Sequence, residues 1–267
     1  MFKKRKRIVT LLVGIFLCLG LCSCISTSEE KKEENLPTLI IGSDNYPPFF
    51  YLDDDGEFEG IDVEIAQEAC ARIGRRPVFK QISWQNKDRY LSSGQVDCLW
   101  GCFSMNGREE RYTWAGPYMH SRQIVMVQAD SNIWKFSDLN GKSIAVQNAS
   151  KPEELFLSNA VSGVDSIKNV YCFNSMNEVF AALRKGYVDA CAGHETACSR
   201  LIGSTNGNYR FLDECLIKTD LGVAFSKERN YETVEKLSEV LSEMKKDGTI
   251  AEILEKYGLE AETALAG

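Results

Sequence analysis

The pattern Leu-x-x-Gly-x-Val-Asp-x-x-x-Gly occurs twice in this chain. It is formed once by Leu91, Gly94, Val96, Asp97 and Gly101, and again by Leu183, Gly186, Val188, Asp189 and Gly193. Each copy reads as the end of a helix, a glycine just past its last turn, and a short buried strand that closes on a second glycine. The pair therefore predicts two similar α/β halves. In open α/β sheets the ligand crevice lies beyond the carboxyl ends of the strands. That rule puts Cys102 to Ser104 at one candidate binding edge, and His194 and Glu195 at the other. Two such halves facing each other would form a clamp. Duplication of a packing unit without a cleft is the alternative that the repeat alone leaves open.

The N-terminus indicates where such a clamp would work. Lys3, Lys4, Arg5, Lys6 and Arg7 precede an apolar run, Ile8 to Leu21, of 14 residues. A bilayer span needs roughly 20, so the run reads as an export signal. It ends in Leu21-Cys22-Ser23-Cys24, which resembles the bacterial lipobox. That resemblance implies cleavage after residue 23 and lipid attachment to Cys24, against the alternative of ordinary secretory cleavage. Ser26 to Asn35 carries no apolar residue and is expected to be a flexible tether, so residues 24–37 are assigned to a linker. Loss of residues 1–23 removes five positive charges and no negative ones, taking the formal charge from −7 to −12. Nucleic acid and anionic lipid are thereby excluded as partners for a basic face.

Of the ten cysteines, Cys70, Cys98, Cys102, Cys172, Cys191, Cys198 and Cys215 lie beyond the N-terminal segment. Their number is odd, so at least one thiol stays free. Cys98 and Cys102 are expected along one strand with both side chains on one face, too far apart to chelate a metal tightly. No Cys-x-x-Cys is present, and only His120 and His194 could help. No metal or other cofactor is expected, and buried thiols acting as small hydrophobes are the default reading.

The remaining length, about 240 residues, suffices for two lobes of about 100 residues each. Thr38 to Ser43 reads as a strand, followed by the turn Asn45-Tyr46-Pro47-Pro48 and by a hairpin turn at Asp55-Gly56. Ile61, Ile65, Ala66, Ala69 and Ile73 have helical spacing and end at Gly74. Strands are expected at Val78 to Ile82 and Ile124 to Gln128, with a helix from Asp88 to Ser93. Ser150-Lys151-Pro152-Glu153 is a capping box that opens a helix. Tyr231 to Tyr257 reads as amphipathic helix broken at Asp247-Gly248.

Six motifs then fall in one order: Gly42-Ser43-Asp44-Asn45-Tyr46-Pro47-Pro48-Phe49; Gly60-Ile61-Asp62-Val63; the first repeat; Arg108 to Trp114-Ala115-Gly116-Pro117-Tyr118; Leu139-x-Gly141-Lys142; and Asp247-Gly248-Thr249-Ile250. Their order resembles that of the family 3 extracellular solute-binding proteins, the polar amino-acid receptors of ABC importers. The resemblance covers Thr38 to Leu259. It implies an α/β, two-lobed periplasmic-binding-protein-like fold of type II, with two crossing strands as the hinge. Lobe 1 would comprise 38–127 and 220–260, and lobe 2 would comprise 128–219. It also implies a monomer held at the extracytoplasmic face of the membrane and working with an ABC permease, with a small polar ligand, most simply an amino acid, enclosed between the lobes.

The same resemblance assigns the site. Arg108, following Ser104, matches the family's carboxylate-binding Arg, and a planar guanidinium suits that task. The loop is one residue shorter than the family pattern, which leaves Arg111 as the fallback. Ser150 and Lys151 sit at the family's second-lobe anion loop, where Lys151 replaces a usual Thr. Tyr46 and Trp84 match the aromatic walls. The departure is at His194, where the family carries an amine-binding Asp. A neutral His supplies no negative charge. Either Glu195 or Asp44 then pairs the ammonium, or the ligand is not an ordinary α-amino acid. Two other classes stay open beside the transport receptor. One is a sensory module reporting occupancy to a membrane receptor. The other is a dehydratase-like enzyme using His194 and Glu195 as an acid/base pair.

Overall fold

The computed structural model describes residues 36–204, 208–228 and 231–266. The segment expected to be an export signal, Cys24 with its expected lipid attachment, and nearly all of the expected tether lie outside the described residues. Among the described residues, no helix is long and apolar enough to cross a membrane.

The elements are β1 (Thr38–Ser43), β2 (Tyr51–Leu52), β3 (Phe58–Glu59), α1 (Ile61–Arg72), β4 (Arg76–Gln81), α2 (Lys87–Ser92), β5 (Cys98–Leu99) and β6 (Thr113–Gln128). These are followed by β7 (Ser143–Gln147), α3 (Lys151–Leu157), β8 (Asn169–Phe173), α4 (Met176–Arg184), β9 (Ala190–His194), α5 (Glu195–Ser204) and β10 (Tyr209–Phe225). Three C-terminal helices complete the order: α6 (Tyr231–Lys246), α7 (Thr249–Lys256) and α8 (Ala261–Leu265). One eight-stranded sheet runs β4-β1-β5-β10-β6-β9-β7-β8, and β2 and β3 form a separate hairpin.

That order is a pseudo-symmetric pair. β1 lies parallel between β4 and β5, just as β7 lies parallel between β8 and β9. Each triplet is then flanked by one antiparallel strand, β10 beside β5 and β6 beside β9. The long strands β6 and β10 pair with each other along their length and join the two halves. β6 begins at Thr113, well before the expected Ile124, because β10 supplies partners for its polar stretch His120 to Gln123.

The repeated motif does the same work in both halves. Gly94 and Gly186 sit at φ 73° and 69°, in the left-handed region that ends a helix. The next residues, Gln95 and Tyr187, donate back to Tyr90 and Ala182 at 3.0 Å in each case. Asp97 then accepts from the Ile40 N–H and Asp189 from the Ser143 N–H, both at 2.8 Å. Each aspartate thus satisfies a backbone donor at the start of its half's central strand. The first function of the motif is architectural.

Ile61, Ile65, Ala66 and Ala69 form the buried face of α1. α6 buries Val234, Leu237, Leu241 and Met244, and it packs on β6. Arg72 ties α1 to the break between α6 and α7, donating to Asp247 at 2.6 Å and to Thr249 at 2.9 Å. A second apolar cluster, including Val125, Val127, Ile144, Val146, Ala190 and Ala192, fills the other half.

Gly60 precedes α1 at φ 129°, and a Cβ there would come within 2.3 Å of the Phe49 carbonyl oxygen. That carbonyl cannot move away, because it and the Pro48 carbonyl accept the Asp62 and Ile61 N–H groups at 2.9 and 3.0 Å. Gly60→Ala is therefore expected to lower stability by about 2–4 kcal/mol. Chemical denaturation of the ligand-free protein measures this, and a loss below about 0.5 kcal/mol, the range of ordinary surface changes, would contradict it.

Candidate functional site

The carboxyl ends of β1, β5, β7 and β9 meet at a cleft of about 440 Å³, including its solvent-open part. Of the residues expected there, Asp44, Tyr46, Trp84, Ser104, Arg108, Ser150, Lys151 and His194 all line it. Glu195 does not. It opens α5 and turns to Arg122, whose Nε donates to it at 2.8 Å while Nη2 makes a second contact. The physical reason is direct: a carboxylate beside a guanidinium fork forms a two-pronged ion pair in preference to entering a buried cleft unpaired. Arg111, the fallback for Arg108, is exposed and donates to Asp88 at 2.5 Å.

Arg108 is held by a short pairing of the segment after β5 with β10. Ser104 bridges Leu221, and Met105 N–H donates to the Asp220 carbonyl at 2.8 Å. A tight turn with Gly107 at φ 73° follows, closed by Arg108 N–H donating to the Met105 carbonyl at 2.8 Å. The guanidinium is 8% exposed, lies over the Phe103 ring, and donates to the Ser104 carbonyl at 3.2 Å and to Glu154 at 3.3 Å. Burial pulls its pKa below the ordinary arginine value, against the opposing charge of Glu154.

Asp44 leaves the end of β1 buried and accepts from Gln147 Nε2 across the cleft. Loss of water raises its carboxyl to about 6 even though Gln147 donates to it. Three further contacts join the halves. Tyr46 hydroxyl accepts from His194 N–H at 3.3 Å, Lys87 Nζ donates to the Ala149 carbonyl at 3.2 Å, and Arg108 meets Glu154. Lys87 is itself buried over the Trp84 ring, which lowers its ammonium to about 8 through desolvation.

His194 ends β9 and is not a solvated helix start. Its ring meets Gln123 Nε2 at 2.6 Å and Ser121 Oγ at 3.1 Å. Burial, reinforced by the charge of Arg108, takes it down to about 3, so it is neutral. It occupies the position as a hydrogen-bonding group without charge.

Ser150 caps α3 by accepting from Glu153 N–H at 3.3 Å. Glu153 reaches back to Ala149 N–H at 2.6 Å, one residue before the cap. Both N–H groups are thus used by the chain itself, which narrows the expected backbone anion contact. Lys151 is buried and its Nζ pairs with Glu154 at 2.7 Å.

Cys102 departs from its expected place on a strand. β5 ends at Leu99, and Cys102 takes φ 50° because Asp62 pins its N–H at 2.6 Å. Asp62 also accepts from Tyr118 hydroxyl at 2.8 Å, and burial raises it to about 7. All seven cysteines of the described residues are free thiols. Among the described residues, no group of three or more potential metal-binding side chains occurs.

Cys102 and Phe103, on the edge read from the first repeat, line the cleft as well, whereas Gln123, Gln147 and Met176 also line it and were not expected from sequence. The two glutamines had a readable signal, since each is an amide bordering an apolar strand run, Gln123 before Ile124 and Gln147 after Val146. Met176 had none, being indistinguishable from a core residue.

Residues 39–260 match the model of the bacterial extracellular solute-binding proteins, family 3. The L-cystine-binding protein TcyJ of Escherichia coli strain K12 is 29% identical over 231 residues, covering 85% of each chain. The L-cystine-binding protein TcyA of Bacillus subtilis strain 168 is 28% identical, covering 82% of this chain and 80% of its own. Among solved structures, an ancestral arginine-binding protein bound to glutamine superposes with a TM-score of 0.74 at 28% identity, covering 82% of this chain and 97% of that one. The duplicated halves, the crossing strands β6 and β10 and the cleft at the strand ends are the fold of these receptors, and this chain belongs to the family 3 bacterial extracellular solute-binding proteins.

Proposed function

We propose that this protein is the lipid-anchored receptor of an ABC importer and captures an α-amino acid between its two lobes. One observation carries the reading: a buried guanidinium, Arg108, and a buried carboxyl, Asp44, line the same cleft. An amino acid presents the two complementary charges, and neither group is stable buried without a partner. Arg108 receives the carboxylate, Asp44 the ammonium, and Tyr46, Trp84 and Phe103 wall the side chain. Among the cleft-lining residues, Asp44 is the one acidic side chain. With His194 neutral, no second anion awaits a cationic ligand side chain. A ligand whose side chain brings no unbalanced positive charge fits best. L-cystine, which the relatives TcyJ and TcyA are named for binding, is the first candidate.

The expected lobes, 38–127 with 220–260 and 128–219, are kept except at one boundary: residues 123–127 are assigned to lobe 2, because Val125 and Val127 pack in its core. The turning points are proposed near Met119 to Arg122 and Lys218 to Leu221, because β6 pairs with β9 from Gln123 onward. Cys24 carries the lipid at the extracytoplasmic face, residues 24–37 give reach, and a permease takes the ligand from a monomeric receptor. The protein is not an enzyme in this reading, since Glu195 is engaged by Arg122 and His194 is held by Gln123 and Ser121.

Titration calorimetry with a panel of amino acids, L-cystine included, tests the reading. Saturable binding of at least one, with a smaller radius of gyration by small-angle scattering, is the expected result. Binding of none would sink it.

A further inference from the structure

Three buried side-chain oxygens of the described residues have no hydrogen-bond partner within the chain: Ser43 Oγ, Asn45 Oδ1 and Gln123 Oε1. Of these residues only Gln123 lines the cleft. It stands within β6, 2% exposed, with its backbone paired to His194 of β9 on one side and to Ile217 of β10 on the other. Strand pairing on both flanks fixes where its side chain can go.

The other end of the amide is committed. Gln123 Nε2 meets His194 Nε2 at 2.6 Å, and His194 Nδ1 meets Ser121 Oγ at 3.1 Å. Burial keeps the ring neutral, so its Nε2 offers a lone pair to the amide NH2 and its Nδ1–H donates to the serine. That chain of contacts holds the amide with its nitrogen against the ring and its carbonyl turned away. Buried polar atoms in folded proteins are nearly always paired, and an acceptor left unpaired on a cleft-lining residue is placed for a donor from outside the chain. Gln123 and His194 sit on adjacent strands of one half, so their contact neither crosses the cleft nor depends on its closure.

We propose that Gln123 sets the ligand's side-chain class: its Oε1 accepts a hydrogen bond from an N–H group at the far end of that side chain. The inference rests on the receptor reading above and narrows it to amino acids that carry a second nitrogen donor.

In that reading Asp44 is taken by the α-ammonium, and Tyr46, Trp84 and Phe103 supply aromatic walls. A carbonyl oxygen adds a neutral acceptor, which suits an amide N–H or an ammonium whose charge is balanced within the ligand itself. L-cystine brings such a group, because its second ammonium is matched by its second carboxylate. An apolar or thioether side chain brings none. Its entry would leave Oε1 desolvated and unpaired, and that penalty is what makes a hydrogen-bonding site selective.

Two matched pairs of probes provide the test. L-glutamine is set against L-methionine, which is alike in length. L-cystine is set against the mixed disulfide of L-cysteine with β-mercaptopropionate, which lacks only the second amino group. Titration calorimetry on the purified protein gives each affinity, the weaker member of a pair being read by displacement of the tighter. In at least one pair the donor-bearing member is expected to bind roughly ten- to hundredfold more tightly, the effect of one hydrogen bond to a buried acceptor. Gln123→Met, close in shape but without the carbonyl, should shrink that gap to within about threefold. Gln123→Leu repeats the measurement, and circular dichroism checks that each variant is folded. A loss of affinity shared equally by both members would mean that Gln123 only supports the fold, and would overturn the proposal. Equal or reversed affinities in the wild type, or a gap that survives both variants, overturn it as well. In each of these cases an amino acid is still bound, so the receptor reading stands. Binding of none of the four probes also overturns the proposal, and the wider amino-acid panel then decides the receptor reading separately.

Discussion

Arg108→Ala is expected to leave the protein folded and to weaken amino-acid binding by about 2–5 kcal/mol, the range for truncating one member of a buried charge pair. The fold should survive because the guanidinium's protein contacts are few: one backbone carbonyl, the Phe103 ring and the half-exposed Glu154. Glu154 keeps Lys151 after the truncation, so no buried carboxylate is stranded. Arg108→Lys should recover only part of the loss, since a point charge on a flexible stem cannot reproduce a two-pronged contact. Titration calorimetry beside circular dichroism distinguishes lost binding from lost fold. Wild-type affinity in Arg108→Ala would move the site out of this cleft.

Why was Arg108 legible in the sequence and Glu154 not? Arg108 sits in a loop whose register is fixed by strand pairing on both sides, Ser104 with Leu221 and Trp114 with Ala224. The family resemblance implied its position, and a loop held between two paired segments keeps the order along the chain on which that resemblance rests. Glu154 reaches Arg108 only because two halves close over a cleft, and such contacts depend on tertiary geometry that no spacing rule encodes. The same distinction sorts the other residues. The paired motif at Asp97 and Asp189 was legible as two equivalent halves because it acts within one helix–strand unit. Glu195 was misplaced because its partner Arg122 lies on the neighbouring strand, in β6, which was itself read too short. The polar residues His120 to Gln123 look like a strand boundary until β10 is known to pair with them. Cys102 was misplaced for a similar reason, since its left-handed backbone depends on Asp62 from α1.

Affinity for the amino acid is expected to fall as pH drops below about 6, approaching tenfold per pH unit, because Asp44 must be ionised to pair an ammonium. Desolvation beneath Gln147 of the other half raises the Asp44 carboxyl to about 6. An ammonium placed beside it would favour the charged form and lower that value, so binding below pH 6 must expel a proton. The sign follows: ligand binds the deprotonated form better, so acid weakens binding and Kd levels off above pH 7. His194, which also lines the cleft, is held down to about 3 by burial and stays neutral throughout. L-cystine, the candidate ligand, does not titrate between pH 5 and 7 either, its carboxyl groups ionising well below that window and its amino groups above it. Asp44→Asn keeps a hydrogen-bonding group opposite Gln147 but cannot ionise. It is expected to bind about 2–5 kcal/mol more weakly at pH 7.5 and to lose the pH dependence. Asp62, raised to about 7 beneath Cys102, is the alternative source of such a slope, and the variant separates the two. A slope that survives in Asp44→Asn would assign the titration to Asp62 and leave the ammonium without the partner argued for it.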